Sequence, residues 1–155
     1  MMDVYTPDEV PEIERPLVLV FHTGTFLPPL INGQITGSRI DSSSVEMCRR
    51  LASRGYVAAS VTYRQGWNPI ASGPDGANIR TGTLLNAAYR GIHDARACVR
   101  FFRNSIENEG NPWSLDTDRF IAWGNGTGGF LSLGAGFLDD FSELELAKFI
   151  DTNTA

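Results

Sequence analysis

Three times along this chain a short aliphatic run ends in a polar, turn-forming loop and is followed by residues at helical spacing, an alternation that leaves few folds open. Pro16-Leu-Val-Leu-Val-Phe21 is unbroken β-branched and aliphatic sequence, closed by His22-Thr-Gly-Thr25. A run that is apolar at every position, not at alternate ones, reads as a strand buried on both faces. Tyr56-Val-Ala-Ala-Ser-Val-Thr-Tyr63 reads as a second strand. Arg119-Phe-Ile-Ala-Trp123 is a third, leading into Gly124-Asn-Gly-Thr-Gly-Gly129.

Helices are expected between and after these strands. Val45, Cys48, Leu51 and Ala52 recur at helical spacing, with Asp41 or Ser42 as the cap, Arg49, Arg50 and Arg54 at the negative end, and Gly55 as the stop. From Thr83 to about Ile106, Leu84, Leu85, Ala88, Ile92, Ala95, Val99 and Phe102 step by three and four, which predicts the longest helix. Phe130 to Leu138 is apolar and small, as suits a helix lying close on a sheet, and Glu143 to Phe149 is helical in composition. Long loops are expected over Leu27 to Ser38 and Arg64 to Gly82, where Pro, Gly and Asn are dense. Three βα units in a row predict an α/β fold with a parallel, doubly wound sheet and helices on both faces. Ligands bind such sheets outside the carboxyl ends of the strands. Any site is therefore built from the loops at His22, Tyr63 and Gly124.

Composition narrows the partners. The 155 residues carry 18 acidic and 13 basic side chains, a net charge of −5, and no Lys/Arg cluster, which argues against a nucleic-acid groove. No run approaches the ~18 apolar residues of a membrane span. Met1 to Glu14 is too acidic and too rich in proline for a signal peptide, and the compartment stays open. Cys48 and Cys98, 50 positions apart, are expected to be free and buried, and with His22 and His93 they make no zinc-ligand spacing. Neither a metal nor a cofactor is expected.

The strand, glycine turn and helix from Trp123 to Leu138 resemble the nucleophile turn of α/β-hydrolases, G-x-S-x-G, in which flanking glycines let strand and helix approach. Gly124 and Gly128 hold the flanking positions, and Gly126 stands where the family has its serine. His22-Thr-Gly-Thr-Phe26 is similar to the H-G-G-G-F loop of esterases and lipases, which supplies backbone N–H donors to an oxyanion. By that match the donors are Gly24 and Thr25, with Thr127 as the third. Val61 to Arg64, Tyr89 to Arg100 and Leu115 to Phe120 also match carboxylesterase-like members, in order. The resemblance implies acyl-ester hydrolysis through a covalent acyl-enzyme, with a small ester-like ligand.

Two departures bear on that activity. Gly126 has no oxygen with which to attack a carbonyl. The family's acid and histidine follow the nucleophile in chain order, and the 29 residues after Gly126 contain no His, so this chain assembles no triad. Residues 1–155 therefore read as one α/β domain, or a fragment of a larger hydrolase domain, catalytically impaired as given. Unpaired sheet edges in such a fragment favour a homo-oligomer.

The remaining candidates have plainer readings. His22 orders its loop; His93 and Asp94, adjacent on a helix, point to different faces and make no dyad; Ser132 packs or caps locally. Thr127 offers its backbone N–H before its hydroxyl. Two alternatives stay open. Gly124-x-Gly126-x-x-Gly129 is also a literal dinucleotide fingerprint, with Asp151 placed to meet a ribose. The other is a non-catalytic pseudo-hydrolase that binds a ligand or a protein.

Overall fold

The computed structural model describes residues 1–8, 13–28, 37–138 and 140. In chain order the elements are β1 (Met2–Tyr5), β2 (Arg15–Phe21), α1 (Ser42–Ala52), β3 (Val57–Val61), α2 (Gly76–Asn108), β4 (Leu115–Gly124) and α3 (Thr127–Phe137). They form a mixed four-stranded sheet in the order β1-β3-β2-β4. β2 runs parallel to β3 and β4, in registers that pair Leu19 with Ala59 and with Ala122.

β2 and β3 are buried on both faces from Leu17 to Phe21 and from Val57 to Val61, where the one polar residue, Ser60, donates its hydroxyl to the Arg39 carbonyl at 2.7 Å. Leu17, Leu19 and Phe21 pack on one side with Ala88, Ile92 and Phe102 of α2 and Leu131 of α3. Val18, Val20 and Ala58 pack on the other with Cys48 of α1. The helices thus cover both faces. α2 and α3 meet through small residues: a Cβ on Gly91 would lie 2.7 Å from a Leu131 methyl, and one on Gly134 would lie 2.7 Å from Ile92 Cδ1.

The sheet is not wholly parallel, and this corrects the expectation. β1 pairs antiparallel with β3, Met2 opposite Val61 and Tyr5 opposite Ala58. Four residues with an acid among them carry little hydrophobic signal. Pairing holds the strand, together with the Thr62 N–H donated to the Met1 carbonyl at 2.9 Å and the ion pair of Asp3 with Arg39 at 2.9 Å.

α2 begins at Gly76, seven residues before Thr83, which shortens the preceding loop. In its first turns Ala77, Asn78 and Ile79 are exposed, so apolar spacing cannot mark them. β4 starts at Leu115 and α3 at Thr127, each earlier than predicted. Asp41 holds the N-cap position of α1, but its carboxylate turns away from the helix and accepts the Gly37 and Ser38 N–H groups at 2.8 and 3.2 Å. Gly55, at φ +91°, makes the left-handed stop. Both cysteines are free. Cys48 is fully buried, its thiol pushed up to about 12 by desolvation, whereas Cys98 is only half-buried. No helix among the described residues is long and apolar enough to cross a membrane. Glu143 to Phe149, Asp151 and most of the Leu27–Ser38 loop lie outside the described residues.

Candidate active site

The parallel strands end at one edge, and there the three expected loops meet around Tyr63. Its hydroxyl donates to the His22 carbonyl at 2.9 Å and lies 3.0 Å from Thr127 Oγ1. Tyr63 has one proton, already given to His22, so the Thr127 hydroxyl is the donor in the second bond. Burial pushes the Tyr63 phenol up to about 12, against the opposing pull of the Thr127 hydrogen bond. One phenol thereby ties β2, β3 and α3 together.

His22 is 2% exposed and stacks on Tyr63, ring centres 4.2 Å apart and nearly coplanar. Nδ1 lies 2.6 Å from the Thr23 carbonyl, a contact that requires the proton on Nδ1. Nε2 is then a bare acceptor, buried and without a partner among the described residues. Desolvation holds the imidazole below its ordinary pKa, outweighing the Thr23 carbonyl and the Asp41 charge. The ring is neutral and committed to its loop.

That loop is held in an unusual backbone path. Gly24, Thr25 and Phe26 take φ values of 140°, 53° and 56°, and two of the three are L side chains in the left-handed region. Four bonds hold the path. Leu27 N–H reaches the Gly24 carbonyl at 3.0 Å, the Thr25 hydroxyl reaches the same carbonyl at 2.7 Å, Trp67 Nε1 reaches the Thr25 carbonyl at 3.0 Å, and Gly66 N–H reaches the Phe26 carbonyl at 2.8 Å. Arg90 in turn donates to the Gly66 carbonyl at 2.7 Å. The Phe26 ring is buried edge-on to Tyr63 and Phe130. The carbonyls of this loop are occupied, while the N–H groups of Gly24 and Thr25 donate to no backbone acceptor among the described residues.

At the β4–α3 bend, Gly126 is exposed, with φ 58° and ψ −120°. Gly124 and Gly128 are where the chain can carry no Cβ. One on Gly124 would fall 2.1 Å from the Gly128 carbonyl carbon, and one on Gly128 would fall 2.1 Å from the Phe21 carbonyl oxygen. A Cβ on Gly129 would sit 3.3 Å from the nearest atom, tight but without a collision. Backbone packing therefore requires glycine at the two flanking positions, Gly124 and Gly128. It does not require the third glycine of a dinucleotide fingerprint, which serves close helix–strand packing.

Ser132 donates to the Gly128 carbonyl at 3.0 Å, a local bond within α3. Asp94 accepts the Arg64 backbone N–H at 2.7 Å and faces its guanidinium at 2.9 Å, while the exposed His93 ring packs beside Tyr89. Trp67 and Arg90 build the site without having been singled out in the sequence, whereas Tyr63 was marked only as the strand end that opens its loop. Trp67 and Arg90 lie beyond a strand end, in a loop and inside a helix, where the strand-end rule does not single out a residue.

No family model and no curated protein matches the chain. Among solved structures it is similar to a thermophilic esterase, esterase 2 of the Planctomycetes species Thermogutta terrifontis. With propionate bound, that structure matches at 20% identity and a TM-score of 0.52, covering 86% of this chain and 39% of that one. The apo form matches at 19% and 0.53 over 86% and 39%, and the paraoxon-phosphorylated form at 18% and 0.54 over 86% and 40%. The chain spans about two-fifths of the esterase it matches. The likeness is one of fold, and it does not favour the dinucleotide reading.

Proposed function

We propose that this chain is the nucleophile-turn portion of a carboxylesterase-like α/β-hydrolase domain, impaired in catalysis because the apex of its turn, Gly126, carries no side chain. The observation that carries the reading is the bend itself: an exposed residue at φ 58° and ψ −120° between a strand and a helix, flanked by two glycines whose Cβ atoms would collide with backbone. The backbone N–H groups of Gly24, Thr25 and Thr127 are the candidate oxyanion donors, and an acyl ester is the ligand class they suit. Without a nucleophile or its base, such donors and binding alone leave an effect of order 10³–10⁴ over water.

Hydrolysis of p-nitrophenyl butyrate tests this, followed beside a butyrate titration monitored by backbone NMR shifts. The expected outcome is negligible turnover, with shifts at Gly24, Thr25 and Thr127. Rapid stoichiometric labelling by a serine-directed fluorophosphonate would overturn it. Association through β4 belongs to the same reading. Among the described residues that strand pairs only with β2, and Ile121 and Trp123 beside it, with Phe130 and Phe137 on α3, are exposed.

A further inference from the structure

Three residues of this site, Thr23, Thr25 and Gly126, depart from the resembling family's pattern, and the structure puts Thr23 against Gly126. Thr23 stands where H-G-G-G-F has its first glycine, and Gly126 stands where G-x-S-x-G has its serine. A Cβ built on Gly126 would lie 2.5 Å from Thr23 Oγ1 and 3.4 Å from Thr23 Cβ, and among the described residues beyond its own chain neighbours it would meet no other atom within 4 Å. Among the described residues beyond Asn125 and Thr127, Thr23 alone fills that space. Its carbonyl takes the His22 Nδ1 proton, while its hydroxyl has no hydrogen-bond partner among the described residues.

We propose that the Thr23 side chain occupies the seat of the missing nucleophile, so that positions 23 and 126 admit one side chain between them and the hydroxyl offered to a ligand at the apex is that of Thr23. Calling this the nucleophile's seat rests on the hydrolase reading above; the crowding itself does not. Threonine yields little here. Its β-carbon bears two heavy atoms, so of three staggered rotamers only one turns hydrogen toward Gly126, and β-branching makes χ1 stiff. Gly126→Ser alone therefore rebuilds no usable nucleophile; the hydroxyl is introduced against Thr23 and needs a smaller residue at 23 beside it.

The test is a double-mutant cycle on the full chain, with Gly126→Ala placed in the wild-type, Thr23→Ala and Thr23→Val backgrounds and read by thermal unfolding. Backbone strain at positive φ is common to all three and cancels. The expected coupling is a Tm loss on Gly126→Ala that is about 3 °C or more larger with Thr or Val at 23 than with Ala. Gly126→Cys gives a second readout, the rate of reaction with a dithiobis-nitrobenzoate reagent after subtracting the native cysteines. That rate should rise at least ~10-fold on adding Thr23→Ala, because the thiol is then uncovered. A Gly126→Ala protein that folds only when Thr23→Ala accompanies it supports the proposal. Equal Tm losses with equal thiol rates, or failure to fold in both backgrounds, overturn it. A coupled cycle in a protein that shows no butyrate shifts sinks the ligand-site reading and leaves the shared seat standing; additive losses with butyrate bound do the reverse.

Discussion

Gly128→Ala isolates the contact on which the bend depends. The added carbon would lie 2.1 Å from the Phe21 carbonyl oxygen, 2.7 Å from the Phe21 carbonyl carbon and 2.8 Å from the His22 oxygen. All three are backbone atoms at the end of β2, a strand flanked by β3 and β4, so no side chain can swing aside. Helix α3 must retreat by about 1 Å, and a gap of that size forfeits a quarter to a half of the dispersion contact across it. Leu131, fully buried on that helix, is the residue most exposed to the loss. Burial of a leucine is worth about 1.5–3 kcal/mol and overpacking strain adds about 1–3 kcal/mol, so the expected destabilisation is about 2–4 kcal/mol. At 155 residues that is a Tm drop of about 4–16 °C by circular dichroism. Gly136→Ala is the matched control. It lies on the same helix with nothing among the described residues within 4 Å of its Cβ, and should be stabilising by about 0.5–1 kcal/mol. Melting curves for the two variants that coincide would refute the close-approach argument.

Other perturbations follow from the same contacts. The His22 ring titrates below its ordinary value, so the unfolded chain takes up the proton first, near pH 6.5. His22's contribution is complete above that pH and is lost as pH falls through the folded value; Tm should decline from pH 7.5 to 5.5, and a His22→Phe variant with the same slope would exclude His22 as the cause. Tyr63→Phe leaves the His22 carbonyl and the Thr127 hydroxyl without their partner and should cost about 1–3 kcal/mol in urea unfolding, against no change if the phenol is idle. Asp94→Ala removes a partner of the exposed Arg64 guanidinium and should stay within about 1 kcal/mol, since solvent screens such pairs; a larger loss would show that the pair holds the Tyr63 loop. Ile121→Lys on the open edge of β4 should lower the mass seen by light scattering at high protein concentration, and a wild-type chain that is monomeric throughout would dispose of edge association.

How much of this was legible in the sequence depended on whether burial or pairing decided the element. β2 and β3 announce themselves because both faces are covered, and a residue that must be apolar at every position leaves an unmistakable run. β1 does not, because four residues held by main-chain bonds at an edge need no particular side chains. The first turns of α2 escape for the opposite reason to its middle: Ala77, Asn78, Ile79 and Thr81 are exposed, and the buried residues there are the glycines 76 and 82, which carry no apolar signal. The three site loops were placed by the rule that ligands gather at strand ends, and Gly124 and Gly128 by the collision that any Cβ would cause. Thr23 was out of reach. Its importance lies in a distance to a residue 103 positions away, and no local pattern encodes that.

The bend at Gly126 also shows why such a turn is independent of the chemistry it resembles. In a hydrolase an L residue at the apex is held at positive φ against its own preference, and the surrounding contacts must supply the strain energy. Glycine removes that requirement, since the conformation costs it little. The demands at Gly124 and Gly128 are unchanged, because they come from the approach of α3 to β4 and to the end of β2 and from nothing at residue 126. A chain in which Gly126 lacks a side chain therefore keeps the bend at lower strain, and the space beside it is open to a neighbour. Thr23 is the neighbour that stands there, which makes the residue at position 23, more than the one at 126, the determinant of what the apex can accept.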